Sequence, residues 1–158
     1  MTFLAGDEPT AGQVEELRGL RVYKLGIETV NGSAALQNDD ELFLTVEANA
    51  KYRFMARILF TSNTTADFKF GFTYPSGATA TYTLLGIASG GASLSAFHQV
   101  ESSGGALEGG TGIACLMFGT WAISSTAGVL QLQWAQNTSN ASNTQVLAGS
   151  FLELVKFS

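Results

Sequence analysis

The side chains that most often carry out chemistry in proteins are few and scattered in this chain of 158 residues. His98 is the only histidine and lies in an alternating run, so a metal site or a catalytic triad lacks a visible partner there. Cys115 is the only cysteine, which excludes an internal disulfide, and no basic neighbour in IACLMF would lower its pKa. We predict that both are strand residues without a catalytic role.

Carboxylates are the remaining candidates for chemistry. The densest acidic group, Asp39, Asp40 and Glu41, lacks the spacing of an EF-hand loop, although calcium binding by a loop stays open. Aspartate is common in turns, where its side chain accepts hydrogen bonds from backbone N–H groups, and we predict that role here. The other acids lie mainly in the first residues or apart from one another, which does not favour a glycosidase pair. We predict that the protein is not an enzyme and needs no metal or cofactor.

Composition narrows the class of partner. The formal net charge is −5 and only 13% of residues are charged, about half the usual fraction. So few Lys and Arg side chains argue against nucleic-acid binding. No apolar run approaches the roughly 20 residues of a membrane-spanning helix, and MTFLAGDEPTAG lacks the basic segment of a signal peptide. The predicted partners are therefore other proteins.

Alternation with period two dominates the chain after residue 19 and predicts β-strands separated by Gly-, Asn- and Ser-rich turns. The fold predicted for residues 20–158 is all-β, a jelly-roll-like antiparallel β-sandwich. The strand candidates are RVYKLGI, SAALQ, ELFLTVE, KYRFMARILF, DFKFGFTY, TATYTLL, SLSAFHQV, GIACLMFGTWAI, VLQLQWAQ and SFLELVKF.

Residues 1–19 differ from the rest of the chain, and we predict that they form an extended N-terminal arm and one short helix. Thr10 and Gln13 have the spacing of a capping box, and Gly19 is placed to end a helix over residues 10–18. The arm's candidate docking residues are apolar: Phe3, Leu4, Val14 and Leu17.

Several predicted strands carry apolar or amide side chains on the face that would point away from the core. Met55 and Leu59 lie on the face opposite Phe54 and Ile58, so that strand is apolar on both faces. In LQLQW the residues Gln131 and Gln133 alternate with the apolar ones and put amides on the outer face. A sandwich buries one face of each sheet, so an apolar outer face needs a further cover. An identical subunit or the N-terminal helix could supply it, and we predict that Met55, Leu59, Gln131 and Gln133 form a subunit interface.

Two segments, LQNDDELFLTVEANAKYRFMARILFTSNTTADFKFGFTYPSGAT (36–79) and GVLQLQWAQNTSNASNTQVLAGSFLELVKF (128–157), carry a recognisable pattern. It resembles a β-module of tail-associated and other virion proteins of actinobacteriophages. The N-terminal arm and residues 80–127 match weakly. The resemblance implies a structural module of a virion, assembled in the host bacterial cytoplasm, and the lack of a shaft segment favours a capsid decoration protein over a fibre.

Together these observations predict a homotrimeric capsid decoration (cement) protein that docks on the major capsid protein through its N-terminal arm. The alternative is a minor tail or receptor-binding protein at the tail tip that recognises host glycan. In that alternative the loops at 75–78, 102–112 and 137–144 would read the glycan, and Tyr74 is the credible exposed ring.

Overall fold

The structure, a computed structural model, describes residues 19–87 and 105–158, and the backbone alone of residues 94–100. The described residues contain twelve β-strands and no helix. The strands are β1 (Leu20–Tyr23), β2 (Glu28–Val30), β3 (Gln37–Val46), β4 (Lys51–Ser62), β5 (Phe68–Thr73), β6 (Thr79–Ile87), β7 (Leu94–Val100), β8 (Ala106–Leu107), β9 (Gly110–Ala122), β10 (Gly128–Gln136), β11 (Thr144–Val146) and β12 (Phe151–Lys156).

Strands β3 to β10 follow the connectivity of a jelly roll. One sheet has the order β3-β10-β5-β8, and in the larger sheet β4, β9, β6 and β7 lie side by side. Successive strands alternate between the two sheets, except for the β6–β7 hairpin, which is the double Greek-key arrangement of that fold. On the free edge of β4 the larger sheet is extended by β12 and β1 over residues 52–57, and by β11 and β2 beyond them. The predicted antiparallel β-sandwich is confirmed.

The core lies between the two sheets and is built from the alternating apolar faces. Phe54 packs edge-on against Phe72, Tyr82 and Trp121, with ring centroids 5.7 to 6.4 Å apart. At the other end of the sandwich Phe68 stacks on Phe60 with centroids 4.3 Å apart. Edge-to-face and offset ring pairs contribute about 0.5–1.5 kcal/mol beyond the burial of their area.

Gly119 of β9 lies where the backbones of β9 and β6 come unusually close to each other. It pairs with Tyr82 of β6, and the backbone of β6 fills the space where a side chain would stand. A Cβ at this position would collide with the carbonyl oxygen of Thr81 and lie 2.5 Å from the Cα of Tyr82. A glycine inside a strand is otherwise unfavourable, so its presence here reflects this contact.

The sequence interpretation erred at short elements. SAALQ is not a strand up to Leu36, because the backbone N–H of Ser33 donates to the Gln136 side chain and that of Ala35 to the Ser33 hydroxyl. These bonds replace ladder hydrogen bonds. RVYKLGI divides into β1 and a loop, and the loop expected at 102–112 contains β8 and the start of β9. The predicted helix over residues 10–18 lies outside the described residues.

Candidate interaction surfaces

The outer face of the eight-stranded sheet exposes large apolar side chains. Met55 of β4 is 48% exposed and pairs directly with Phe118 of β9, which is 45% exposed. Leu116, one pair further along β9, is 42% exposed. Leu59, on the same face of β4, is half-buried. We call Met55, Leu116 and Phe118 with their surroundings the outer sheet face. It contains both residues of β4 that the sequence predicts at a subunit interface. Leu116 and Phe118 belong to ACLMF, whose sequence is also apolar on both faces, but the prediction did not name them.

Arginines frame this apolar surface. Arg57 lies over the ring of Phe151 at 5.8 Å and donates to the carbonyl oxygen of Gly149 at 3.1 Å. Arg53 is exposed four residues earlier on β4. Within residues 19–87 and 105–158 neither guanidinium forms an ion pair with a carboxylate. The outer sheet face therefore combines apolar area with positive charge.

The outer face of the four-stranded sheet carries the amides that the sequence singled out. Gln131 donates to the carbonyl oxygen of Asp39 at 2.9 Å, and Gln133 donates to Asn38 Oδ1 at 2.9 Å. Both glutamines are half-buried and tie β10 to β3 across a shift in register. The geometry gives these two amides a structural role within the sheet, and their place in a subunit interface stays a prediction.

A buried ion cluster joins the two sheets at one edge. The Lys24 side chain is only 1% exposed, and its Nζ donates to Glu28 at 2.8 Å and to Asp39 at 2.9 Å. Burial disfavours the charged lysine, but the hydrogen bonds that it donates to Glu28 and Asp39, together with the opposite charges of these carboxylates, outweigh that effect and raise its pKa. Asp39 is fully buried and also accepts hydrogen bonds from Leu42 N at 2.8 Å and from Trp134 Nε1 at 3.2 Å. Asp39 thus accepts backbone hydrogen bonds as predicted, but it does so within β3 and not in a turn before Leu42, and these bonds are one part of a larger network.

This network also shapes a loop at the surface. The carboxylate of Glu41 accepts hydrogen bonds from the backbone N–H groups of Leu25 at 3.1 Å and Gly26 at 3.2 Å. Those bonds, with Lys24 at 3.5 Å, lower the pKa of Glu41. The loop so held points Leu25 and Ile27 into solvent, 82% and 62% exposed. Sequence reasoning missed the cluster, although Lys24 follows Val22 at a spacing of two and so falls on an inward position.

Tyr74 follows β5 and is 36% exposed, with its ring tilted against that of Trp121 at 5.4 Å. It remains the ring that the alternative function would use. The other aromatic candidates, Trp121, Trp134 and Tyr82, are buried in the core. Cys115 is also fully buried, and burial raises the pKa of its thiol to about 12, which is the expected state of an inert core residue.

Other predicted groups are absent from the described part of the chain or give no site there. Phe3, Leu4, Val14 and Leu17 lie outside the described residues, as does the side chain of His98. Among the described side chains no three His, Cys, Asp or Glu residues are arranged to hold a metal ion. The same part of the chain has no helix with the length and hydropathy to cross a membrane.

Comparison with known proteins gives little to set beside this geometry. No protein-family model and no curated protein matches the chain. A solved structure, that of infectious bursal disease virus Gt strain, is 9% identical with a TM-score of 0.22. The match covers 89% of this chain and 41% of that one. At this TM-score the likeness supports no conclusion about the present protein.

Proposed function

We propose that the protein is a non-enzymatic structural component of a bacteriophage virion, a capsid decoration protein that acts as a trimer. The observation that carries this proposal is the outer sheet face, where Met55, Leu116 and Phe118 are each more than 40% exposed in a single chain. Contiguous apolar surface of this kind marks interaction sites on soluble domains. The jelly roll is a fold of viral capsid and lectin domains, which fits the proposal but does not by itself establish it.

The mechanism is adhesion. Burying the outer sheet face against a sister subunit removes apolar area from water, at about 25 cal/mol per Å². The N-terminal arm, through Phe3 and Leu4, then binds the major capsid protein. A protein that binds only the assembled shell stabilises it by mass action.

Self-association is tested on the full chain by light scattering at high micromolar concentration. We expect a defined oligomer, with a mass three times 16.6 kDa for a trimer. Phe118→Asn should weaken association about tenfold or more, because it removes a central apolar contact. Thr126→Asn, in the exposed turn between β9 and β10, is the matched control and should have little effect. A native monomer, or equal behaviour of the two variants, would count against the proposal.

Binding to the virion is tested separately. The chain lacking residues 1–9 should keep its thermal unfolding transition and lose binding to purified phage particles in co-sedimentation. Retention of full binding by the truncated chain would show that the arm is not the docking element.

The alternative function, recognition of host glycan at the tail tip, is supported by Tyr74. Its half-exposed ring rests on a buried tryptophan, which suits stacking against a sugar. A glycan array separates the two functions: specific binding that Tyr74→Ala abolishes would favour recognition, and binding to particles without any glycan signal would favour decoration.

A further inference from the structure

The loop at residues 25–27, the apolar loop hereafter, is exposed and yet held in place. Leu25 is 82% exposed, more than any other large apolar side chain among the described residues. Two backbone N–H groups of the loop are fixed by Glu41. At its start Lys24 N donates to Ser150 O at 2.8 Å and Gly149 N donates to Lys24 O at 2.9 Å. A pre-organised loop loses little conformational entropy on binding, which favours a contact role for its aliphatic side chains.

The surroundings of the apolar loop are strongly negative. Three carboxylates and one ammonium lie at its base, which gives −3 and +1 and a net charge of −2, from Glu28, Asp39, Glu41 and Lys24. The lysine side chain is buried and its charge is used within the cluster. A partner surface that receives the loop must therefore be apolar and positively charged.

The outer sheet face of the same chain has those two properties. Its apolar residues lie beside Arg53 and Arg57, whose charges have no carboxylate partner in the described part of the chain. Arg21 on the same face pairs with Glu153 at 2.7 Å, which adds no net charge. The apolar loop and the outer sheet face are thus complementary in charge as well as in polarity.

From this complementarity we infer that the apolar loop of one copy docks on the outer sheet face of the next copy. The inference rests on the self-association in the proposed function and specifies its geometry. Two outer faces placed against each other would oppose arginine with arginine, and two apolar loops would oppose carboxylates, both of which cost free energy. A contact between different patches is heterologous, and such contacts close into a ring when the rotation between copies allows it. A standard interface covers about 800 Å² per partner. This is about a tenth of the solvent-accessible surface of this chain, which is 8089 Å².

The direct test is cross-linking with a short bis-maleimide between two variants that each carry one added, exposed cysteine. Ile27→Cys reports on the loop and Leu116→Cys on the face, and the buried native Cys115 does not react. We expect cross-linked dimers only when the two variants are mixed, and none from either variant alone. Dimers from Leu116→Cys alone would indicate face-to-face pairing and overturn the inference, as would an absence of cross-links in the mixture.

Two further measurements on the full chain test the docking of the apolar loop on the outer sheet face independently. Leu25→Asn should weaken association about tenfold or more, while Leu36→Asn, the same substitution at an exposed position before β3, should not. Association should also weaken as salt is raised, since the patches attract; like-charged patches would associate more strongly in salt. If the chain forms an oligomer with the wrong cross-links, this contact is refuted and the proposed function survives. If the native chain is a monomer, both the contact and the proposed self-association fail.

Discussion

Replacing Lys24 by methionine gives the sharpest test of how this sandwich is held together at its edge. Methionine keeps the length and apolar stem of the side chain and removes only the ammonium group. Its two hydrogen bonds to carboxylates, at 2.8 and 2.9 Å, are lost. Bonds to charged groups contribute about 1.5–3 kcal/mol each. Asp39 would stay buried as an uncompensated charge, although Leu42 N and Trp134 Nε1 still donate to it.

From these contacts we expect Lys24→Met to lower the free energy of unfolding by about 3–5 kcal/mol, the usual cost of removing one partner of a buried ion pair. For a domain of this size each kcal/mol lowers the melting temperature by about 2–4 °C, so the loss should be roughly 6–20 °C. Urea unfolding followed by tryptophan fluorescence measures the change in the free energy of unfolding. Trp134 is a suitable probe because it is buried and donates a hydrogen bond to Asp39.

The matched control is Lys156→Met, which removes a lysine that pairs with Glu47 at 2.8 Å on the surface. Exposed pairs contribute about 0–1 kcal/mol, so this variant should unfold close to the native chain. If Lys24→Met costs no more than Lys156→Met, the buried cluster does not stabilise the fold and the reasoning is wrong.

Three further outcomes are expected. Gly119→Ala should destabilise the protein by several degrees in thermal unfolding, because its Cβ would strike the backbone at Tyr82; an unchanged melting temperature would contradict the packing. The hydrogen bonds from Leu25 and Gly26 lower the pKa of Glu41, so its contribution is complete above the ordinary pKa of a glutamate and is lost as the pH falls through the lower folded value; hydrogen exchange at Leu25, corrected for the intrinsic rate, should speed up as the pH falls through that range. With a thiol pKa raised to about 12, Cys115 should resist a thiol reagent at about pH 8 in the folded chain and react in urea; fast labelling without urea would show an open core.

Local pattern was enough to find most of the strands and to say which side chains face inward. The run KYRFMARILF predicts a strand with two apolar faces, and the structure buries Phe54 and Ile58 while leaving Met55 exposed. Such predictions succeed because side chains alternate along any extended chain, whatever its neighbours are. The jelly-roll connectivity also agrees with the prediction, since alternating strands of this number have few other ways to cover each other's apolar faces.

Contacts between distant residues needed the tertiary structure. Lys24 meets Asp39, and Asp39 meets Trp134 95 residues further on, through pairings of β3 with β10 that no local spacing encodes. The same is true of Met55 and Phe118, which become neighbours only in the register of β4 against β9. Register depends on how every strand of the sheet satisfies its partners at once, so it is a property of the whole chain. The amino-acid sequence alone determined which faces are apolar and that Arg53 and Arg57 share a face with Met55. Only the folded chain decided that Leu116 and Phe118 join that face, and that an exposed apolar loop with carboxylates at its base stands at another edge.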